Sequence, residues 1–265
     1  MNELKKLRKD TFNQNYVLDQ ELITLAKQET SHLFLANHSI LLIYTYLVHY
    51  IKQSTEKWLG TTNNLKILDW GSGKGHITYL LKREYHKTNT EILSCDIADT
   101  KLANSDSSFR LITPIIRSEN IQVTPLTHAY QLPFSDEYFD VVISMGVLEH
   151  VPQDTESLKE IFRVLKPKGL IFCYFLPYQR SWTQKLAHWR GNLYHDRLYS
   201  KRQVREMMND VDFTLLDLWH RQLFPKNSLR YPNYPIFEKI DQVLCVHTPL
   251  KYLATNIEFV AVKPT

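Results

Sequence analysis

The run Leu68-Asp69-Trp70-Gly71-Ser72-Gly73-Lys74-Gly75 sets a carboxylate two residues ahead of three alternating glycines. Glycine tolerates the positive φ of a tight strand-to-helix turn, and its missing side chain lets a ligand lie against the backbone and the N-terminus of the next helix. Dinucleotide enzymes use a related turn for pyrophosphate, so the glycines alone are a weak signal. Asp69 separates the two ligands, because a carboxylate just before the loop suits an ammonium group and repels a pyrophosphate. The spacing D-x-G-x-G-x-G also differs from G-x-G-x-x-G. Asp96 follows the last glycine by about 20 residues, where a carboxylate accepts hydrogen bonds from both ribose hydroxyls. Together these residues point to an adenosine carrying an amino-acid tail. With no ligand, they would be an ordinary α/β turn and a strand-end aspartate.

His150, in the run Gly146-Val147-Leu148-Glu149-His150, follows an apolar strand. With an ordinary pKa near about 6.5, its imidazole suits a general base acting on a hydroxyl. The alternative is a packing or loop-ordering histidine, and Glu149 reads as a structural carboxylate. Tyr178, Trp182, His188, Trp189, Tyr194, His195 and Tyr199 form an aromatic segment that either lines a pocket or packs an accessory helix. Trp182 and Trp189, one seven-residue step apart, would then share a buried face. Arg221, Lys226 and Arg230 would meet an anionic ligand or belong to a solvated loop.

The elements that must position these groups alternate between strand and helix. Strands are expected at Leu65 to Trp70, Glu91 to Asp96, Ile121 to Pro125, Asp140 to Met145 and Leu170 to Leu176. Two late strands follow, at Phe213 to His220 and Asn256 to Lys263. Strand and helix in alternation imply a parallel sheet covered on both faces. Leu158, Ile161, Phe162 and Leu165 mark one buried helical face, opened by Pro152 and Asp154 and closed by Pro167 and Gly169. Ser200 and Gln203 have capping-box spacing for a helix ending near Asp210. A short helix over 236–245 is expected from the shared face of Ile236, Ile240, Val243 and Leu244. Residues 1 to 60 read as a helical N-terminal appendage, ended by Gly60 and the Thr61 to Asn64 cluster.

The whole composition is that of an ordinary globular chain. Hydrophobic residues make up 43% of the 265 and charged residues 23%, which excludes a disordered chain. A net charge of +4 falls short of the basic footprint of a dedicated nucleic-acid binder. Cys95, Cys173 and Cys245 are odd in number and lack C-x-x-C spacing, so neither a disulfide framework nor a zinc site is indicated, and a reducing cytoplasm fits. Polar residues follow Lys5, Lys6, Arg8 and Lys9 where an export signal needs its apolar core. Leu33 to Ile51 is long and apolar, yet His38, Thr45 and Lys52 recur every seven residues along one stripe, with Phe34, Leu41 and Val48 expected on another side. Asn37, His38 and His49 would be costly in hydrocarbon, so a helix packed on the domain is expected.

LDWGSGKG, SCDIAD, LPFSDEYFDVVISMGVLEHVP and FRVLKPKGLIFCY resemble, in order, the successive motifs of class I S-adenosylmethionine-dependent methyltransferases. The likeness is to the type 11 small-molecule subgroup that includes the ubiquinone and menaquinone C-methyltransferases, and it covers about residues 65 to 176. It implies an α/β Rossmann-like fold with a seven-stranded, mostly parallel sheet in order 3-2-1-4-5-7-6. It also implies that Asp69, Gly71, Ser72, Gly73 and Gly75 hold the methionine part of S-adenosyl-L-methionine and Asp96 its ribose. Ile97, His128, Ala129 and Met145 would complete the cofactor pocket, Ile97 against one face of the adenine. Relatives commonly place an acidic residue where this chain has His128, but Ala129 keeps a backbone N–H for the adenine edge.

The expected domain spans 61–265, with acceptor-side segments at about 177–200 and 221–255. The expected reaction transfers a methyl group to a small metabolite or a glycan- or lipid-linked precursor, with S-adenosyl-L-homocysteine as product and no metal. His150 is the candidate base. The segment FEKIDQVLCVHTPLKYLATNIEFVAVKP loosely resembles methyltransferases of surface-polysaccharide pathways. The fourth strand lacks the N-P-P-Y turn that nucleic-acid amino-methyltransferases use. The alternative function is a catalytically degenerate module that keeps the fold for binding or regulation.

Overall fold

Residue alternation along the strands divides the core into two layers. A computed structural model describes residues 2–12, 38–97, 113–191, 197–224 and 234–265, with residues 14, 20, 21, 24 and 195. Strands β1 (Lys66–Trp70), β2 (Glu91–Ile97), β3 (Val123–Leu126), β4 (Phe139–Met145), β5 (Leu165–Pro177), β6 (Thr214–Arg221) and β7 (Asn256–Val262) form one sheet in the order 3-2-1-4-5-7-6. The first five pair in parallel, and β7 runs antiparallel between β5 and β6. In β1, Ile67 faces one layer while Leu68 and Trp70 face the other.

Helices α1 (Asn2–Phe12), α2 (His38–Leu59), α3 (His76–Glu84) and α4 (Pro114–Ser118) contribute to the first layer. Leu41 and Val48 of α2 are buried and Thr45 and Lys52 partly exposed, but at 3.6 residues per turn the four share one face, so the polar and apolar positions do not form separate stripes. No helix among the described residues is long and apolar enough to cross a membrane. The opposite layer is covered by α5 (Asp154–Val164) and α7 (Lys201–Asp210). Helix α7 carries the expected capping box, with Ser200 and Gln203 each accepting from the other's backbone N–H.

Several sequence readings need correction. Helix α5 stops at Val164, and Leu165 is already extended at the start of β5, paired with Phe139; Pro167 two residues on disfavours helix at Lys166. Helix α6 (Trp182–Trp189) buries no residue and leaves Trp189 81% exposed, so the two tryptophans share no buried face. Helix α8 (Tyr234–His247) turns the expected apolar face outward, with Ile236, Ile240 and Val243 exposed and Glu238 and Asp241 buried. The inward carboxylates have partners. Arg221 donates to Glu238 at 3.2 Å, and the backbone N–H groups of Leu223 and Phe224 donate to Asp241 at 2.7 Å each.

Arg221 is therefore neither on a solvated loop nor open to an anionic acceptor. It is buried, 3.9 Å from Glu258 and over the Phe12 ring. The three cysteines are buried, and no disulfide forms among the described residues. Phe34, Asn37, the Ala98 to Ser108 stretch, Tyr194, Lys226 and Arg230 lie outside the described residues.

Candidate active site

The C-terminal ends of β1, β2, β3 and β4 lie side by side, because Trp70 pairs with both Cys95 and Ser144 and Ile97 pairs with Leu126. Strand order reverses between β1 and β4, which is where open α/β sheets leave a crevice for ligands. The glycine loop occupies that edge. Gly71 and Ser72 donate their N–H groups to the Cys95 carbonyl at 2.9 and 3.1 Å. Asp96 completes the fastening, accepting from the Gly73 N–H at 2.6 Å through Oδ2 and from the Ile97 N–H at 2.7 Å through Oδ1.

Gly73 sits at φ +53° with nothing closer than 4.0 Å to the place of a Cβ, so the loop presents open backbone beside the Asp96 carboxylate. Ser72 Oγ is buried with no hydrogen-bond partner among the described residues. An open glycine face, an unanswered hydroxyl and a carboxylate fit an adenosine with an amino-acid tail. Gly71 has a packing reason as well: at φ +75° its Cα lies against Val147, whose Cγ2 a Cβ would overlap.

Asp69 lies beneath the loop, 1% exposed, and its Oδ2 accepts from Thr78 Oγ1 at 2.6 Å. Burial pushes its pKa up to about 7 against the opposing Thr78 hydrogen bond. Gly75 packs on Ile116 at the start of α3. Ile97 is exposed beside Asp96, and Ala129 is buried. His128 is exposed and stacks on Tyr130 at 5.1 Å. Met145 ends β4, half-buried in the first layer.

His150 stands past β4 on a turn closed by its N–H donating to the Val147 carbonyl at 2.9 Å. Its side chain is 61% exposed, and its Nε2 lies 3.8 Å from Glu149 Oε1. Glu149 is buried, which pushes its pKa up to about 7. The aromatic segment returns to this turn. Tyr199 donates to the Leu148 carbonyl at 3.3 Å and to Asp154 at 3.0 Å, while Arg197 donates to the Val151 and Pro152 carbonyls. Those anchors set the His195 ring 5.5 Å from that of His150, a pairing that nothing in the sequence spacing announces.

A seven-stranded 3-2-1-4-5-7-6 sheet with an acidic, glycine-rich turn after β1 and a carboxylate ending β2 defines the class I methyltransferase architecture. The chain matches the family described as a methyltransferase domain over residues 68–173. It is 33% identical over 119 residues to the ubiquinone/menaquinone biosynthesis C-methyltransferase UbiE of Proteus mirabilis, covering 44% of this chain and 45% of that protein. The chain spans about half the length of the curated relatives it matches.

Two solved structures share the fold. A putative sarcosine dimethylglycine methyltransferase from Galdieria sulphuraria has a TM-score of 0.54 at 18% identity, over 84% of this chain and 86% of that one. The Haemonchus contortus phospholethanolamine N-methyltransferase 2, in complex with phosphomonomethylethanolamine and S-adenosylhomocysteine, has a TM-score of 0.52 at 17% identity, over 79% and 51%.

Proposed function

We propose that the protein methylates a small metabolite or a glycan- or lipid-linked precursor, with S-adenosylmethionine bound at the ends of β1 and β2. The observation that carries the reading is the fastening of Gly73 to Asp96, which leaves the Gly73 face open. In this reading Asp69 and the loop residues Gly71, Ser72, Gly73 and Gly75 hold the amino-acid tail. Asp96 takes the ribose, while Ile97, His128, Ala129 and Met145 border the adenine and the reacting end. The bound donor supplies an activated methyl group on a sulfonium, so the protein's main task is alignment in a water-poor pocket. The turn at 147–150 and the segment anchored by Arg197 and Tyr199 border the acceptor side, where the His150 imidazole helps a hydroxyl lose its proton. In this reading residues 61–265 form the methyltransferase domain and residues 1–60 an N-terminal appendage.

Calorimetry with S-adenosylmethionine, S-adenosylhomocysteine and NAD tests this. Both sulfur ligands bind and NAD does not, since Asp69 disfavours pyrophosphate. Asp96→Ala weakens binding by about 1 to 3 kcal/mol through loss of a hydrogen-bonded carboxylate. Unchanged affinity removes Asp96 from the site, and failure of both sulfur ligands overturns the proposal.

A further inference from the structure

We propose that Glu149, His150 and His195 hold a divalent transition-metal cation on the acceptor side of the crevice. The inference rests on the methyltransferase reading for its use, but its geometry stands separately. Each of the three residues offers one ligand atom, and these atoms all lie within 4.8 Å of one another. Glu149 Oε1 and His150 Nε2 are 3.8 Å apart. A cation about 2.0 to 2.2 Å from each donor needs donor atoms roughly 3 to 4 Å apart, so small side-chain rotations complete the site. His150 is exposed and His195 half-buried.

The carboxylate supplies the second observation. The Glu149 side chain is 3% exposed, yet its Oε2 has no hydrogen-bond partner among the described residues. A cation shared with two imidazoles would hold Glu149 ionised and answer its charge, as buried carboxylates require. Two imidazoles with one carboxylate suit zinc, manganese, iron, cobalt or nickel better than calcium.

Three protein ligands leave coordination positions open. An acceptor hydroxyl entering one of them would lose its proton more readily, because the cation stabilises the alkoxide oxygen that then takes the methyl group. The proton passes to solvent at the exposed face of His150. The imidazole thereby acts through the cation and not as a free base. The third ligand is a positioned group as well, since Arg197 and Tyr199 fasten its segment to residues 148–154.

The test uses the full chain, stripped of metal with a chelator and titrated with Co2+ while visible absorption and calorimetry are recorded. The expected result is one Co2+ per chain with a ligand-field band, and at least tenfold weaker binding in both His195→Ala and Glu149→Gln. S-adenosylhomocysteine affinity in His195→Ala stays at the wild-type value, which shows an intact fold. Cobalt failing to bind while S-adenosylhomocysteine binds overturns the cation site and leaves the methyltransferase reading standing. Equal Co2+ affinity in wild type and both variants overturns it too, because the ion then sits elsewhere. If Co2+ binds as expected and the sulfur ligand does not, the cation site is supported and the reading beneath it fails.

Discussion

At the scale of single residues, the charge state of Asp69 is the variable that the fold controls. Its pKa is raised from 3.8 to about 7 by burial, so the folded protein keeps the proton longer than the unfolded chain does. Stability from this group is therefore greatest below pH about 4 and declines as pH rises to about 7, the reverse of a salt-bridged aspartate. In the proposed site a ligand ammonium would meet the ionised form. S-adenosylhomocysteine affinity should accordingly rise by up to roughly tenfold per pH unit between pH 5.5 and 7 and then level, with Asp69→Asn flattening the profile. Calorimetry across that range measures it, and a flat wild-type profile separates Asp69 from the ligand's charge.

Asp69, Asp96 and the glycines were legible in the sequence because a tight turn restricts backbone conformation and so restricts residue type. The neighbourhood of His195 was not legible, since it lies 45 positions from His150 and is brought there by hydrogen bonds from Arg197 and Tyr199. Arg221 was misread for a related reason. It was read as an anion contact or part of a solvated loop, while its carboxylate partners come from Glu238 and Glu258, well along the chain.

Among the elements, α1 is joined to the sheet by charge as well as by apolar contact. Arg8 donates to Asp217 of β6 at 2.8 Å, both side chains are nearly buried, and the guanidinium lies 4.4 Å from the centre of the Trp219 ring. Arg8→Ala removes the cation from the nearly buried Asp217 and leaves it only the Leu218 N–H, which donates to Oδ1 at 2.9 Å, and it should cost about 3 kcal/mol of stability in urea unfolding. A loss below about 1 kcal/mol would show that α1 is a dispensable cover. Element types were readable wherever one face meets the core, as in α7, whose capping box and end at Asp210 both follow the sequence. Helix α8 shows the limit of periodicity. Its apolar spacing correctly marks a helix, but which face turns inward is decided by Arg221 and two backbone N–H groups that belong to other segments.

Across the whole molecule, strand order followed from the motif resemblance, since parallel strands with covered faces fit several topologies and alternation alone does not choose among them. The antiparallel β7 between β5 and β6 then places Asn256 beside both Pro177 and Arg221. Both proposed sites depend on this sheet, and they meet at one contact. Gly71, in the donor loop, has its Cα against Val147, the residue whose carbonyl closes the His150 turn. The contact gives a route by which occupancy on one side would bias the geometry on the other, and that coupling is a prediction.

The thermodynamic consequence is reciprocity. Whatever factor S-adenosylhomocysteine imposes on the Co2+ dissociation constant, Co2+ must impose on that of S-adenosylhomocysteine. We expect a factor above about 5, within the usual range of coupling between sites. Val147→Ala, which thins the shared contact, should bring it toward 1 with each ligand still bound separately. Four titrations of wild type and variant measure it, and coupling undiminished in Val147→Ala would place the communication elsewhere in the sheet. Coupling of that size, lost in Val147→Ala, would make the crevice one cooperative unit hinged on the missing side chain at position 71.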